Sequence, residues 1–241
     1  MNLIIDIGNT RIKTALFEAN ELKHFFVFKT TDELHAANLF VKYPITHCII
    51  GSVVNNLDSF IKVIQEKVKT ILFTDKTPIP IKNLYESAHT LGSDRLAAAI
   101  GANTLFPNQN ILVIDAGTCI KYNFVNNKNE YIGGSISPGL QMRYKALNFY
   151  TSRLPLLEVN EGFETLIGKN SNESILSGVQ KGSIAEIKGI IEGYEEHYPD
   201  IKVILTGGDA NFFEKPFKNR IFADSFLITK GLNAILNYNI K

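Results

Sequence analysis

Leu3-Ile4-Ile5-Asp6-Ile7-Gly8-Asn9-Thr10-Arg11-Ile12-Lys13-Thr14-Ala15-Leu16-Phe17 is the stretch that decides the fold. Leu3–Ile5 has the character of a short buried strand, and it gives way to an acidic residue followed by glycine. From Arg11 the chain resumes strand character with alternation, so Gly8-Asn9-Thr10 is predicted to be a tight hairpin turn. Such a turn can present backbone N–H groups and a hydroxyl to a phosphate. The Asp6 carboxylate at the strand end suits a divalent cation, because Mg²⁺ takes oxygen ligands and retains most of its waters.

A second copy follows. Ile111-Leu112-Val113-Ile114-Asp115-Ala116-Gly117-Thr118-Cys119-Ile120-Lys121 repeats strand, Asp, Gly, Thr and strand, with Asp115 standing 109 residues after Asp6. One such unit is most often an ordinary hairpin. The matched pair instead points to a duplicated domain with two phosphate-facing turns across a cleft.

The 241 residues suffice for one large domain or two smaller ones, and the duplication favours two, with the boundary near Phe106-Pro107-Asn108: an N-terminal domain 1–106 and a C-terminal domain 107–241. Lys and Arg number 25 against 24 Asp and Glu, so the net charge of +1 offers no general attraction to nucleic acid, and none is expected as a partner. Cys48 and Cys119 lie in apolar strand contexts and make no disulfide framework, which fits a reducing, cytoplasmic setting. The five histidines have no metal-ligand spacing. The start has no basic signal-type region, and no run approaches the ~18 apolar residues of a membrane span, so a soluble protein without membrane attachment is expected.

Leu22–Phe28 reads as a third strand completing a meander, and Glu33–Tyr43 as a helix stopping before Pro44. His47–Val54, then an amphipathic helix over Asn55–Lys67, then a strand over Thr70–Phe73 form a crossover unit, so the class is α/β. Tyr85 leads through Leu91-Gly92-Ser93-Asp94-Arg95 into an alanine-rich helix. Asp94 can simply cap that helix, or it can take a proton from an alcohol while Arg95 holds an anionic group and Gly92 allows close approach. Ile120–Val125 and Tyr131–Ile136 make a hairpin; Gly133-Gly134 is either a bulge or a place where ligand meets backbone. A helix runs from Ser137–Leu140 to about Tyr150, Leu156–Thr165 is irregular, and Asn170–Glu173 caps a long helical stretch to Tyr198. Lys202–Thr206 is a buried strand ending in Gly207-Gly208, which is a turn or a surface against a flat ligand such as adenine. Gly231–Tyr238 is expected to be a helix under the second sheet.

Together Asp6-Ile7-Gly8-Asn9-Thr10, Gly92-Ser93-Asp94-Arg95, Asp115-Ala116-Gly117-Thr118 and Thr206-Gly207-Gly208-Asp209 resemble the type III pantothenate kinases, in order and spacing over essentially the whole chain. The resemblance implies duplicated ribonuclease-H-like (actin-like ATPase) domains with mixed five-stranded sheets flanked by helices, and ATP between the halves. It implies that Asp6, Ile7, Gly8, Asn9, Thr10, Arg11, Ile12 and Lys13 form the first phosphate loop, with Asp6 near Mg²⁺ and the γ-phosphate. Thr118, with Gly207 and Gly208, contacts ATP on this reading, and Asp115 is the ligand of a monovalent cation, K⁺ or NH₄⁺. Tyr85, Gly92, Ser93, Asp94 and Arg95 match pantothenate-binding positions, with Asp94 as proton acceptor. Family members are homodimers, and Ser171 stands where a threonine commonly reaches substrate from the partner. Ala88 stands where the family usually has proline, a departure bearing on the substrate loop.

The activity so implied is phosphorylation of pantothenate to 4′-phosphopantothenate, the first step of coenzyme A biosynthesis. A kinase of the same fold acting on another small alcohol and a non-catalytic regulator of that fold are the alternatives, together with a nucleotide-gated partner-binding module. Asp6, Asp94 and Asp115, all present, argue against the regulator, and the short chain without a peptide-binding domain argues against the module.

Overall fold

The apolar start of the chain forms β1 (Asn2–Ile7), buried along its whole length in the computed structural model, which describes residues 1–54, 56–218 and 220–240. β2 (Ile12–Glu18) returns antiparallel, with Asp6 across from Lys13 and Ile7 across from Ile12, and β3 (Glu21–Phe28) completes the meander. The single helix expected from Glu33 to Tyr43 is two short ones, α1 (Thr31–Ala36) and α2 (Leu39–Lys42). Asn38 separates them in the left-handed region at φ 49°, a conformation that asparagine tolerates better than most residues. β4 (His47–Ser52) runs parallel to β1, followed by α3 (Asp58–Gln65) and β5 (Lys69–Leu72). The expected start of that helix, Asn55, lies outside the described residues.

Next come β6 (Lys82–Asn83), a 3₁₀ turn at Ala88–Thr90 and α4 (Ser93–Leu105). β7 (Ile111–Ala116), β8 (Cys119–Val125) and β9 (Glu130–Pro138) repeat the three-strand opening, and α5 (Leu140–Phe149) follows. Residues 150–170 contain neither helix nor strand. The long helical stretch is α6 (Ser171–Leu176), a π-helical turn at Ser177–Lys181, and α7 (Gly182–His197). β10 (Lys202–Thr206), α8 (Ala210–Phe217), β11 (Phe222–Ala223) and α9 (Leu227–Asn239) complete the order.

The first sheet has the order β3-β2-β1-β4-β5 and the second β11-β10-β7-β8-β9-β6. Numbered within each repeat, both contain the order 3-2-1-4-5, so the two Asp–Gly–Thr units head equivalent central strands. This is the duplicated ribonuclease-H-like arrangement of the actin-like ATPases and sugar kinases. The two-residue β6 adds a sixth strand beyond the expected five, pairing in parallel with Glu130 and Tyr131 at the start of β9.

Contacts divide the chain into two units. The first comprises Met1–Asn108, Val125–Gly133 and Phe226–Lys241, and the second Gln109–Phe124 and Gly134–Ser225. In the first, Leu3, Ile5 and Ile7 pack with α1, α2 and α3 on one face of the sheet. The opposite face carries α4 and α9, so the C-terminal helix is not under the second sheet as expected but against β1, β4 and α4. Small residues permit that contact. A Cβ on Gly101 would stand 2.2 Å from the Leu227 carbonyl oxygen, and one on Gly231 would stand 1.8 Å from that of Ala97. In the second unit, Leu112, Ile114, Leu140, Tyr144, Ile187 and Phe213 are among the buried core residues that join the sheet to α5, α7 and α8. Among the described residues, no helix is long and apolar enough to cross a membrane.

Candidate active site

Alternation along β1 decides which way Asp6 faces. Asn2 lies on the same face four residues earlier, and its Nδ2 donates to Asn233 Oδ1 on α9 at 2.9 Å. Asp6 pairs in register with Gly51 on β4, and the space above Gly51 is filled by the Leu232 side chain of α9. Asp6, only 8% exposed, therefore lies on the α4/α9 face at the carboxyl end of β1. Beyond it the chain turns tightly, the Gly8 N–H donating to the Arg11 carbonyl at 3.1 Å, and Asn9, Thr10 and Arg11 are exposed. Ile12 and Lys13 already belong to β2.

The Gly92–Arg95 segment arrives at the same end of the same sheet. Ser93 Oγ donates to the Ser52 carbonyl at 3.0 Å, and Ser52 is the residue after Gly51 and the ladder partner of Ile7. Two motifs separated by about eighty residues are thus tied together through the end of β4. Ser52 is fixed in turn, its hydroxyl donating to the Val54 carbonyl at 2.9 Å. Nothing in the local sequence around Ser52 marks this role.

Asp94 Oδ1 accepts the Arg95 N–H at 2.8 Å, so the carboxylate does satisfy a backbone group in the first turn of α4. Gly92, at the N-cap with φ −57°, is conformationally ordinary. Its missing side chain serves space, since a Cβ there would lie 2.6 Å from Asp94 Oδ1. Arg95 is 6% exposed, with its guanidinium 5.6 Å from the centre of the Tyr85 ring, within cation–π range. Tyr85 is held by its N–H to Asn83 Oδ1 at 3.0 Å and by the tilted Tyr131 ring 6.1 Å away. A Cβ on Gly133, at φ +140°, would stand 3.4 Å from the Tyr85 ring, whereas one on Gly134 would stand 1.7 Å from the Tyr122 carbonyl oxygen. The open question at this glycine pair thus divides: Gly134 allows strand contact, and Gly133 lies beside a candidate substrate residue. Ala88 begins the 3₁₀ turn between Tyr85 and Gly92.

In the second unit the equivalent strand ends converge. Asp115 pairs with Thr206, and the Asp209 N–H donates to the Ala116 carbonyl at 2.9 Å. Gly207, at φ +103°, lies against Ala116, where a Cβ would stand 2.2 Å from the carbonyl oxygen. Its neighbour differs. A Cβ on Gly208 would meet nothing within 4 Å, and one on Gly117 would meet only the Gly208 nitrogen at 3.9 Å. Thr118 is exposed beside this open backbone surface, and its carbonyl accepts the Gly139 N–H at the start of α5 at 3.2 Å. Burial pushes the Asp209 carboxyl above its usual value. Both units thus present their motifs at carboxyl ends of parallel strands, where α/β sheets characteristically bind ligands.

Two groups were not foreseen. Lys121 Nζ lies 2.6 Å from Asp115 Oδ2. Glu186 on α7 accepts from Tyr122 at 2.9 Å, from Ser137 at 2.5 Å and from Arg143 at 2.5 Å, joining β8, β9 and α5 to α7. The lysine was readable as one residue of the repeat; the glutamate carried no signal in its own helix. Ser171 is exposed as the first residue of α6 in the second unit, with Asn170 capping the helix through the Glu173 N–H.

The family model described as Type III pantothenate kinase matches residues 2–193. The chain belongs to the type III pantothenate kinase family. It is 45% identical to a type III pantothenate kinase of Bacteroides fragilis over 99% of this chain and 98% of that protein. With a type III pantothenate kinase of Cytophaga hutchinsonii the identity is 46%, over 100% of both. Among solved structures, the activator of the 2-hydroxyisocaproyl-CoA dehydratase from Clostridium difficile with bound ADPNP superposes with a TM-score of 0.58 at 11% identity, covering 98% of this chain and 93% of that one. That likeness bears on the fold of this type III pantothenate kinase family member, while the relatives of high identity bear on the family.

Proposed function

We propose that the protein phosphorylates pantothenate with ATP at the primary alcohol, giving 4′-phosphopantothenate at the entry to coenzyme A biosynthesis. The observation that carries this reading is the Ser93–Ser52 hydrogen bond, which ties the segment bearing Asp94 to the end of the strand paired with Asp6. A candidate general base and a candidate metal carboxylate thereby share one face and one end of a sheet. Full-length likeness to relatives named for this activity supports the choice of substrate.

ATP supplies the phosphoryl group, and phosphoryl transfer leaves the protein chiefly to position an in-line hydroxyl and to neutralise developing charge. In this reading Asp94 orients the pantothenate alcohol and takes its proton. Tyr85 and Arg95 hold the acid end, the guanidinium offering its fork to the carboxylate. The Gly8–Arg11 turn is the candidate phosphate loop of the first unit, and Thr118 with Gly207 and Gly208 is the candidate nucleotide-facing surface of the second. The open space over Gly117 and Gly208 suits a ligand lying against backbone.

Mg²⁺ fits Asp6. Among the described residues no group of three or more His, Cys, Asp or Glu is arranged to hold a metal, and Mg²⁺ commonly binds through one or two carboxylates, waters and substrate phosphates. A free K⁺ or NH₄⁺ does not fit Asp115 equally well, because Lys121 already occupies that carboxylate. We further take the protein to be a cytoplasmic homodimer with Ser171 reaching the partner's substrate. Exposed Phe149, Tyr150, Leu166 and Ile167 support an interface in the second unit.

The test is ADP release from ATP and Mg²⁺ with and without pantothenate, with the product identified by mass. Pantothenate-dependent release of ADP with 4′-phosphopantothenate as product is expected. Release with a different small alcohol and none with pantothenate would overturn the substrate assignment.

A further inference from the structure

Asp115 is the penultimate residue of the fully buried strand β7, and its side chain is 7% exposed. A carboxylate so placed needs a cation close by. The chain supplies one: Lys121, two residues into β8 from Cys119, brings its ammonium to 2.6 Å from Asp115 Oδ2, with its own side chain 19% exposed. The pair lies beside the Gly117–Thr118 turn and shares its strand end with Thr206. A tethered ammonium carries the same single charge as a potassium or ammonium ion. A second monovalent cation on the same carboxylate would meet strong repulsion at a buried site, where charges are poorly screened.

We propose that the Lys121 ammonium is a built-in replacement for a monovalent cation at Asp115, so that this kinase works without K⁺ or NH₄⁺. The inference rests on the kinase reading above for its catalytic consequence, but the seat of the ammonium is a property of the second unit alone. Tethering removes a binding equilibrium, since the charge is held in place before any ligand arrives. The charge then sits permanently near the turn that meets the nucleotide. Lys121 is a positioning and charge-neutralising residue; no bond to it is made or broken.

Initial rates of the wild-type protein with ATP, Mg²⁺ and pantothenate are compared in KCl, NH₄Cl and tetramethylammonium chloride at equal ionic strength. Rates within twofold of one another are expected, and a tenfold or greater requirement for K⁺ or NH₄⁺ would overturn the proposal. Lys121→Met removes the ammonium and leaves Asp115 buried without it. Its rate should fall at least tenfold in tetramethylammonium and recover in K⁺ or NH₄⁺. Its thermal midpoint should rise on adding KCl, whereas the wild-type midpoint should not respond. A variant whose rate and midpoint both ignore K⁺ would count against the assignment. Lys121→Gln serves in its place if the Met variant does not fold. Should the wild-type protein show no turnover in any salt, the kinase reading fails, while the melting comparison still decides what Lys121 replaces.

Discussion

Gly92 leaves the room that the Asp94 carboxylate occupies: a β-carbon at residue 92 would stand 2.6 Å from Asp94 Oδ1. The obstacle is the tip of a flexible side chain, and φ at Gly92 is −57°, so alanine can be accommodated by turning Asp94 away. Gly92→Ala should therefore cost less than about 1 kcal/mol of stability, the difference between glycine and alanine at an N-cap. Turnover should nevertheless fall by roughly tenfold or more, because a displaced base loses its alignment. Paired melting and kcat measurements check this, and a variant equally stable with unchanged kcat would remove Gly92 from the machinery.

Asp94 both satisfies the Arg95 N–H and is the candidate base. Asparagine keeps an oxygen for that hydrogen bond but loses basicity. Asp94→Asn should retain its melting temperature and nucleotide affinity while kcat drops by about 10²–10⁴, the range typical of a general base. Near-normal turnover would show that the carboxylate only caps the helix.

The local signals that carried furthest were those in which a short stretch determines its own geometry. The two Asp–Gly–Thr hairpins could be read because turn chemistry and strand alternation operate over a few residues. The alanine-rich run marks α4, but nothing in it marks α9, expected under the second sheet, as the helix packed against it. α9 packs there through Gly231 against Ala97, a fit set by tertiary contact and not by the residues around Gly231. Likewise Asn38 interrupts a stretch whose apolar spacing still reads as one helix. At the candidate site, Asp6 and Asp94 were legible as residue types, but Ser52, which links their segments through a backbone carbonyl, had no pattern to betray it. The Lys121–Asp115 pair is a cross-strand contact and depends on register, which the repeat alone does not specify.

Gly207 and Gly208 separate structure from ligand contact. Gly207→Ala places a β-carbon 2.2 Å from the Ala116 carbonyl oxygen, and the φ of +103° is itself unfavourable for alanine. Ala116 is held by the Asp209 N–H, so relief requires moving two backbone segments. A loss of about 3 kcal/mol, at the upper end for local backbone strain, is expected in urea unfolding. Gly208→Ala meets nothing within 4 Å and should leave stability within about 0.5 kcal/mol, the usual range for a surface change. If nucleotide lies on this backbone, the same methyl should raise the KM for ATP by roughly three- to tenfold, equivalent to about 1 kcal/mol of binding. An unchanged KM would place nucleotide elsewhere.

Glu186 should leave a mark on the acid limb of stability. Burial alone would raise its carboxyl, but the hydrogen bonds from Ser137, Arg143 and Tyr122, with the charge of Arg143, outweigh it and hold the group below its ordinary value of 4.5. A carboxyl whose folded value is depressed binds its proton more readily when unfolded, so the unfolded state gains as pH falls. The stabilisation is fully present above the ordinary value and drains away below it, as pH falls toward and through the lowered folded value. Glu186→Gln removes this titration and leaves Arg143 facing a neutral partner. The variant should be less stable than wild type at pH 7, and the difference should narrow as pH drops below 4.5. Urea midpoints measured from pH 7 to pH 3 for both proteins test the sign, and a gap that widens on acidification would refute the assignment of a depressed carboxyl.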